Sequence, residues 1–227
     1  MQRWTSKLVI GLTLLVCLTY SAPPKGKLYP VDEASQDASF LEFRKKIVEA
    51  IRNRDKDYIL SILDPDIKNS FGGDGGIEEF KSLWKLDKPE SELWNELLVV
   101  LTLGGAFGEY LGETSFEAPY VSARWPDEYD AYEYMAIVGE TVSVRLEPSL
   151  TATVIDTLSY DIVKRVYVLC SVMGEIKADG HTWMLIITPD GKAGFVSQKY
   201  LRSATDYRAY FRKTDGKWFM ACFIAGD

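Results

Sequence analysis

The chain has 227 residues, a formal net charge of −7 and a hydrophobic fraction of 47%. That length suffices for one large domain or two small ones, and that hydrophobic content excludes a long disordered body. With 33 acidic against 26 basic residues and no dense basic cluster, a nucleic-acid backbone is excluded as the expected partner.

Arg3 and Lys7 precede an apolar run from Leu8 to Leu18, followed by Thr19-Tyr20-Ser21-Ala22 and Pro23-Pro24. A basic start, a short apolar stretch and small residues at the end predict a secretory signal peptide over residues 1–21. The run falls short of the roughly 20 residues that a spanning helix requires, so no transmembrane segment is expected after processing. Val16 is too bulky for the small residue preceding a lipidated cysteine, so Cys17 does not predict a lipid anchor. The expected location is exported, either periplasmic or extracellular. Of three cysteines, Cys170 and Cys222 remain after processing. An exported location permits a disulfide between them, and two buried free thiols fit their apolar surroundings equally well.

Residues 22–37, with Pro23, Pro24 and Pro30, read as a linker. Ser39-Phe-Leu-Glu42 has capping-box spacing, and Phe40, Phe43, Ile47 and Ile51 follow at helical intervals. Asp55 is placed to cap a second short helix carrying Tyr58, Ile59, Ile62 and Leu63, which Asp64-Pro65-Asp66 breaks. Phe71-Gly-Gly-Asp-Gly-Gly76 has no Gly-Lys-Ser/Thr after it and is not a phosphate loop. It reads as a tight connection into the next helix, with a binding loop as the alternative. Ile77, Phe80, Leu83 and Trp84 make one further helical face, and Leu93, Trp94, Leu97, Leu98 and Leu101 make another that stops at Gly104-Gly105.

From Phe107 to Tyr134 aromatic and acidic residues alternate. Aromatic faces beside carboxylates suit sugars or amine-bearing peptides, and this stretch is the expected rim of any groove. Its candidate binding residues are Glu113, Glu117, Tyr120, Trp125 and Tyr132. The bland alternative is that Tyr120, Trp125 and Tyr132 dock two halves of the chain together.

From Glu140 to Leu201 short apolar runs alternate with polar turns, the pattern of a small β-barrel. Strands are expected at residues 141–145, 154–158, 162–171, 182–188 and 192–196. Val144-Arg145, Pro148-Ser149, Val154-Ile155, Leu158, Trp183, Asp190-Gly191, Gly194-Phe195-Val196 and Tyr200-Leu201 make residues 138–203 resemble the bacterial SH3 (SH3b) family. The resemblance implies a closed barrel and a non-catalytic module of exported or cell-envelope proteins. Ser143, Glu147, Asp156 and Asp161 depart from the family pattern at surface turns, so no ligand specificity carries over.

Tyr207–Arg212 and Lys217–Ile224 flank Thr214-Asp215-Gly216, and the Asp-Gly pair is a strong hairpin signal. In simple alternation Trp218, Met220, Cys222 and Ile224 share one face, while Phe219, Ala221 and Phe223 share the other. A hairpin apolar on both faces must be covered on both. The expected fold is therefore α+β: a helical N-terminal lobe completed by the C-terminal hairpin (38–134 plus 204–227), with an inserted SH3b-like barrel (135–203).

The expected function is non-catalytic binding of a peptidoglycan peptide or an envelope protein. The chain carries a single histidine, His181, and no CxxC pair, so neither a metal site nor a cofactor is expected. One alternative is a cell-wall hydrolase with paired carboxylates from Glu109, Glu113 and Glu117. Another is a structural envelope protein without a small ligand.

Overall fold

The computed structural model describes residues 25–167 and 175–226. The signal peptide expected at 1–21 and Cys170, with its disulfide reading, lie outside the described residues. In chain order the elements are α1 (Ala38–Asn53), α2 (Lys56–Ser61), β1 (Leu63–Lys68), α3 (Ile77–Trp84), α4 (Leu93–Thr102), β2 (Ala106–Tyr110), β3 (Glu113–Ala118) and α5 (Tyr120–Ala123). Then follow β4 (Tyr134–Ile137), β5 (Val142–Arg145), β6 (Val154–Leu158), β7 (Ile162–Arg165), β8 (Glu175–Ala178), β9 (His181–Ile187), β10 (Ala193–Ser197), β11 (Leu201–Arg202), β12 (Arg208–Thr214) and β13 (Lys217–Ile224). No helix among the described residues is long and apolar enough to cross a membrane.

Helix α1 begins two residues earlier than the capping-box spacing indicates. Asp37 is the N-cap, and its carboxylate accepts from the backbone N–H of Ser39 at 2.7 Å and of Phe40 at 3.1 Å. A carboxylate satisfies these orphan donors and complements the positive end of the helix dipole. Ser39 is thereby released, and its hydroxyl receives the Trp218 indole N–H at 3.0 Å. Phe40, Ile47, Ala50 and Ile51 are buried on the inner face of α1.

Helices α1 to α4 cover one face of a five-stranded sheet in the order β1-β13-β12-β3-β2, where β1 runs parallel to β13 and the other neighbours are antiparallel. Phe40 is the centre of this core, with its ring 4.2 Å from Phe116 and 4.9 Å from Trp218. The C-terminal hairpin thus lies in the middle of a sheet. Two of its neighbours were not legible as strands. Pro65 sits inside β1, which is an edge strand, where a missing N–H is tolerated. Strands β2 and β3 turn through Leu111 and Gly112, at φ 54° and 79°, the left-handed pair of a two-residue hairpin.

All strands of the second sheet fall between Tyr134 and Arg202, in the order β11-β4-β7-β9-β10-β5-β6, with β8 paired to β9 off that path. Met135, Val144, Val163, Met184, Ile186 and Val196 collect on one side of it as a separate core. This sheet corrects the expected fold. A barrel requires its two terminal strands to pair, but β6 bonds only to β5 and β11 only to β4, at opposite ends of the order. Both sheets are open and uncurled, so residues 138–203 are not a closed SH3b-like barrel and the chain is not a helical lobe with a barrel inserted. The misreading has a physical cause: short strands with polar turns are common to open sheets and barrels, and closure depends on stagger between strands, which local pattern does not carry.

Residues 25–36, read above as part of a linker, run along both sheets. The Leu28 N–H donates to Tyr160 O at 2.8 Å, and the Gly105 N–H donates to Val31 O at 2.9 Å. A Cβ on Gly104, at φ 71°, would meet the Val31 carbonyl oxygen at 2.4 Å, so only glycine admits this close crossing. Leu28 joins Tyr120, Val121, Tyr129, Ala136 and Ile162 in a third cluster at the junction.

Candidate functional site

Strand alternation sends one set of side chains of the five-stranded sheet into the helices and the other set away from them. On β3, Phe116 and Ala118 face the helices, leaving Glu113, Ser115 and Glu117 for the opposite face. On β12, Ala209 and Phe211 enter the core, leaving Arg208, Tyr210 and Arg212. On β13 the alternation breaks. Tyr210 pairs with Cys222 but Phe211 pairs with Met220, so Ala221 is an extra residue in a bulge. Trp218, Met220 and Phe223 therefore share the helical core, and Cys222 and Ile224 pass to the other face.

Here lies an open cleft of about 630 Å³. One cross-strand row forms its floor: Lys68 on β1 is registered with Cys222, Cys222 with Tyr210, and Tyr210 with Glu117 on β3. Tyr110 reaches over this floor, with its ring 5.3 Å from that of Tyr210. The Cys222 thiol lies 3.1 Å from the Tyr110 hydroxyl as a donor. Burial, and then the neighbouring thiol, push the Tyr110 phenol up to about 12. Burial also raises the Cys222 thiol, and burial together with Glu117 raises the Tyr210 phenol. Near neutral pH the middle of the floor, Cys222 and Tyr210, and the Tyr110 phenol over it are therefore uncharged and offer O–H and S–H donors.

The glycine-rich segment forms one wall. Gly75 and Gly76 take φ of 80° and 85°, and a Cβ on Gly75 would stand 2.9 Å from the Ile67 carbonyl oxygen. Glu79 anchors the base by accepting from the Gly75 N–H and the Asn69 side-chain amide, each at 2.9 Å. The segment connects β1 to α3 and also holds Phe71, 57% exposed, over the cleft. The Arg208 guanidinium lies 5.6 Å from the Phe71 ring centroid and donates to Gly226 O at 2.9 Å. Glu109, exposed on the edge strand, contributes to the opposite wall.

The far end of the same face is closed by charge pairing. Arg212 is bound to the buried Asp64, whose hydrogen bond raises the guanidinium pKa, and lies 3.5 Å from Glu113. Thr214 donates to Glu113 at 3.2 Å.

Of the five residues singled out in the sequence, Glu117 lines the cleft and Glu113 belongs to this ion network. Tyr120 is 1% exposed in the junction cluster. The Trp125 indole donates to Tyr129 O at 2.7 Å beside it, and Tyr132 is exposed on the neighbouring turn. The three aromatic residues do not converge with the two carboxylates on one site. Lys68, Arg208, Tyr210 and Cys222 also line the cleft, though none stands among the sequence candidates. A signal for two of them was present: Arg208 and Tyr210 alternate with the apolar Ala209 and Phe211, the pattern of a strand with one polar face.

His181 lies in the other sheet, with its ring 6.1 Å from Trp183. Among the described residues no group of three or more His, Cys, Asp or Glu is arranged to hold a metal ion. Comparison with protein-family models, curated proteins and solved structures returns no match. The SH3b assignment therefore lacks a family match as well as a closed barrel.

Proposed function

We propose that the protein is an exported, non-catalytic binding protein of the cell envelope, and that the cleft on the open face of the five-stranded sheet takes a peptide bearing a free amine, such as a peptidoglycan peptide. The observation that carries this reading is the placement of the Tyr110 and Tyr210 rings beside Glu117 in one cleft, which Glu109 borders from the edge strand. Aromatic faces cover apolar stems and attract cations, and carboxylates accept charge-assisted hydrogen bonds from an ammonium group. Among the described residues Glu109 forms no ion pair, and neither does Glu117. Export rests on the N-terminal sequence pattern.

The test is calorimetric titration of the processed protein with peptides released from peptidoglycan. Saturable binding is expected, weakened about tenfold or more in Glu109→Gln and Glu117→Gln, since a hydrogen bond to a charged group contributes about 1.5–3 kcal/mol. Absence of binding would sink the proposal. Release of fragments from intact peptidoglycan by the wild type, lost in the same variants, would replace it with the hydrolase.

A further inference from the structure

Resting on that cleft reading, we infer that the ligand is a short zwitterion lying across the strands, with its amine at Glu117 and its carboxylate at Lys68. Lys68, Cys222, Tyr210 and Glu117 stand in one row across four strands. A cation stands at one end, an anion at the other, and two neutral side chains lie between them. Three strand spacings separate the ends, about 14 Å between the outer Cα atoms. The Lys68 and Glu117 side chains are long enough to lean inward and hold charged groups about 7–10 Å apart. That is the length of two to three extended residues.

The basic end of the row is Lys68, which closes β1. Arg208 opens β12, the strand beside that of Glu117, and bears with Glu117 on the Tyr210 phenol. Lys68 is exposed and, among the described residues, forms no ion pair. Arg208 is 9% exposed and held in place by Gly226 O and the Phe71 ring. A carboxylate entering beneath Phe71 at the β1 end thus meets the exposed ammonium of Lys68. At the acidic end Glu117 lies beside the Tyr210 phenol, and Glu109 extends from the neighbouring edge strand. The row sets both a polarity and a length: one charge alone engages half the cleft, and a chain much longer than three residues must leave one end unpaired.

Trialanine with free ends, its N-acetyl form, its C-terminal amide and free alanine are suitable probes, titrated alongside peptidoglycan peptides. Free trialanine is expected to bind, and acetylation or amidation to weaken it by about tenfold or more each. Alanine should bind more weakly than trialanine. Lys68→Met should remove the response to amidation and keep that to acetylation; Glu117→Gln should do the reverse. Equal affinity for free and amidated trialanine would overturn the inference. So would binding of peptidoglycan peptides without binding of trialanine, and in both cases the cleft reading stands. Failure of every peptide to bind would overturn both.

Discussion

The bulge at Ala221 makes a sharp prediction, because it decides which of two phenylalanines on β13 belongs to the core. Simple alternation puts Phe219 and Phe223 on the same face. The structure separates them: Phe223 is fully buried, with its ring 5.0 Å from Trp84 and 5.2 Å from Tyr207, whereas Phe219 is half-buried on the other face. Truncating a buried phenylalanine removes its transfer free energy and leaves a cavity, at about 3–5 kcal/mol. Truncating a half-buried one without a packed cavity should cost about 1 kcal/mol. For a chain of this size each kcal/mol corresponds to a Tm change of about 2–4 °C. Phe223→Ala should therefore lower Tm by about 6–20 °C, and Phe219→Ala by about 2–4 °C. Urea unfolding followed by near-ultraviolet circular dichroism, with thermal melts beside it, measures both. Equal losses in the two variants would mean that the alternation runs unbroken and that Cys222 does not face the cleft.

Three further outcomes follow from the packing and the charges. Arg212→Met should cost about 1–3 kcal/mol by leaving the buried Asp64 carboxylate unpaired, and Asp64→Leu in the same chain should recover part of it, as read by urea midpoints. Hydrogen bonding to Ser39 and to Lys213 holds the Asp37 carboxyl well below the usual carboxylate range. With the folded pKa depressed, its contribution is present above the unfolded value near 3.9 and is lost as pH falls through the folded one. Urea midpoints measured from pH 5 downward should fall more steeply in the wild type than in Asp37→Asn. Finally, replacing residues 138–203 with a short Gly-Ser linker should leave a cooperative near-ultraviolet transition, because the core around Phe40 draws on none of those residues. A chain ending after Thr214 should show none, since β13 is the strand between β1 and β12.

Which parts of this protein could be read without its structure follows from the range of each signal. Helical spacing marked the buried side of α1, and Asp215-Gly216, at φ 51° and 77°, marked the turn between β12 and β13. The expected strands at 154–158 and 192–196 lie on β6 and β10 to within a residue. Each of these is a preference of a few adjacent residues: a period, a cap or a left-handed turn.

Only the tertiary structure decided the rest. The parallel pairing of Leu63 with Met220 joins distant parts of the chain, and neither partner carries a local mark of the other. The two open sheets instead of a barrel depend on which strands become edges, which stagger determines and composition does not. The cleft shows the same limit. Carboxylates and aromatic residues near 107–134 were legible as chemistry, but Tyr120 and Trp125 turned into the junction while Glu117 turned onto the open face. Lys68, Tyr210 and Cys222 came together because register aligned three strands and one bulge shifted Cys222 from the face that alternation assigned it. A single inserted residue reverses every side chain beyond it, and local sequence pattern does not say where a strand takes that extra residue.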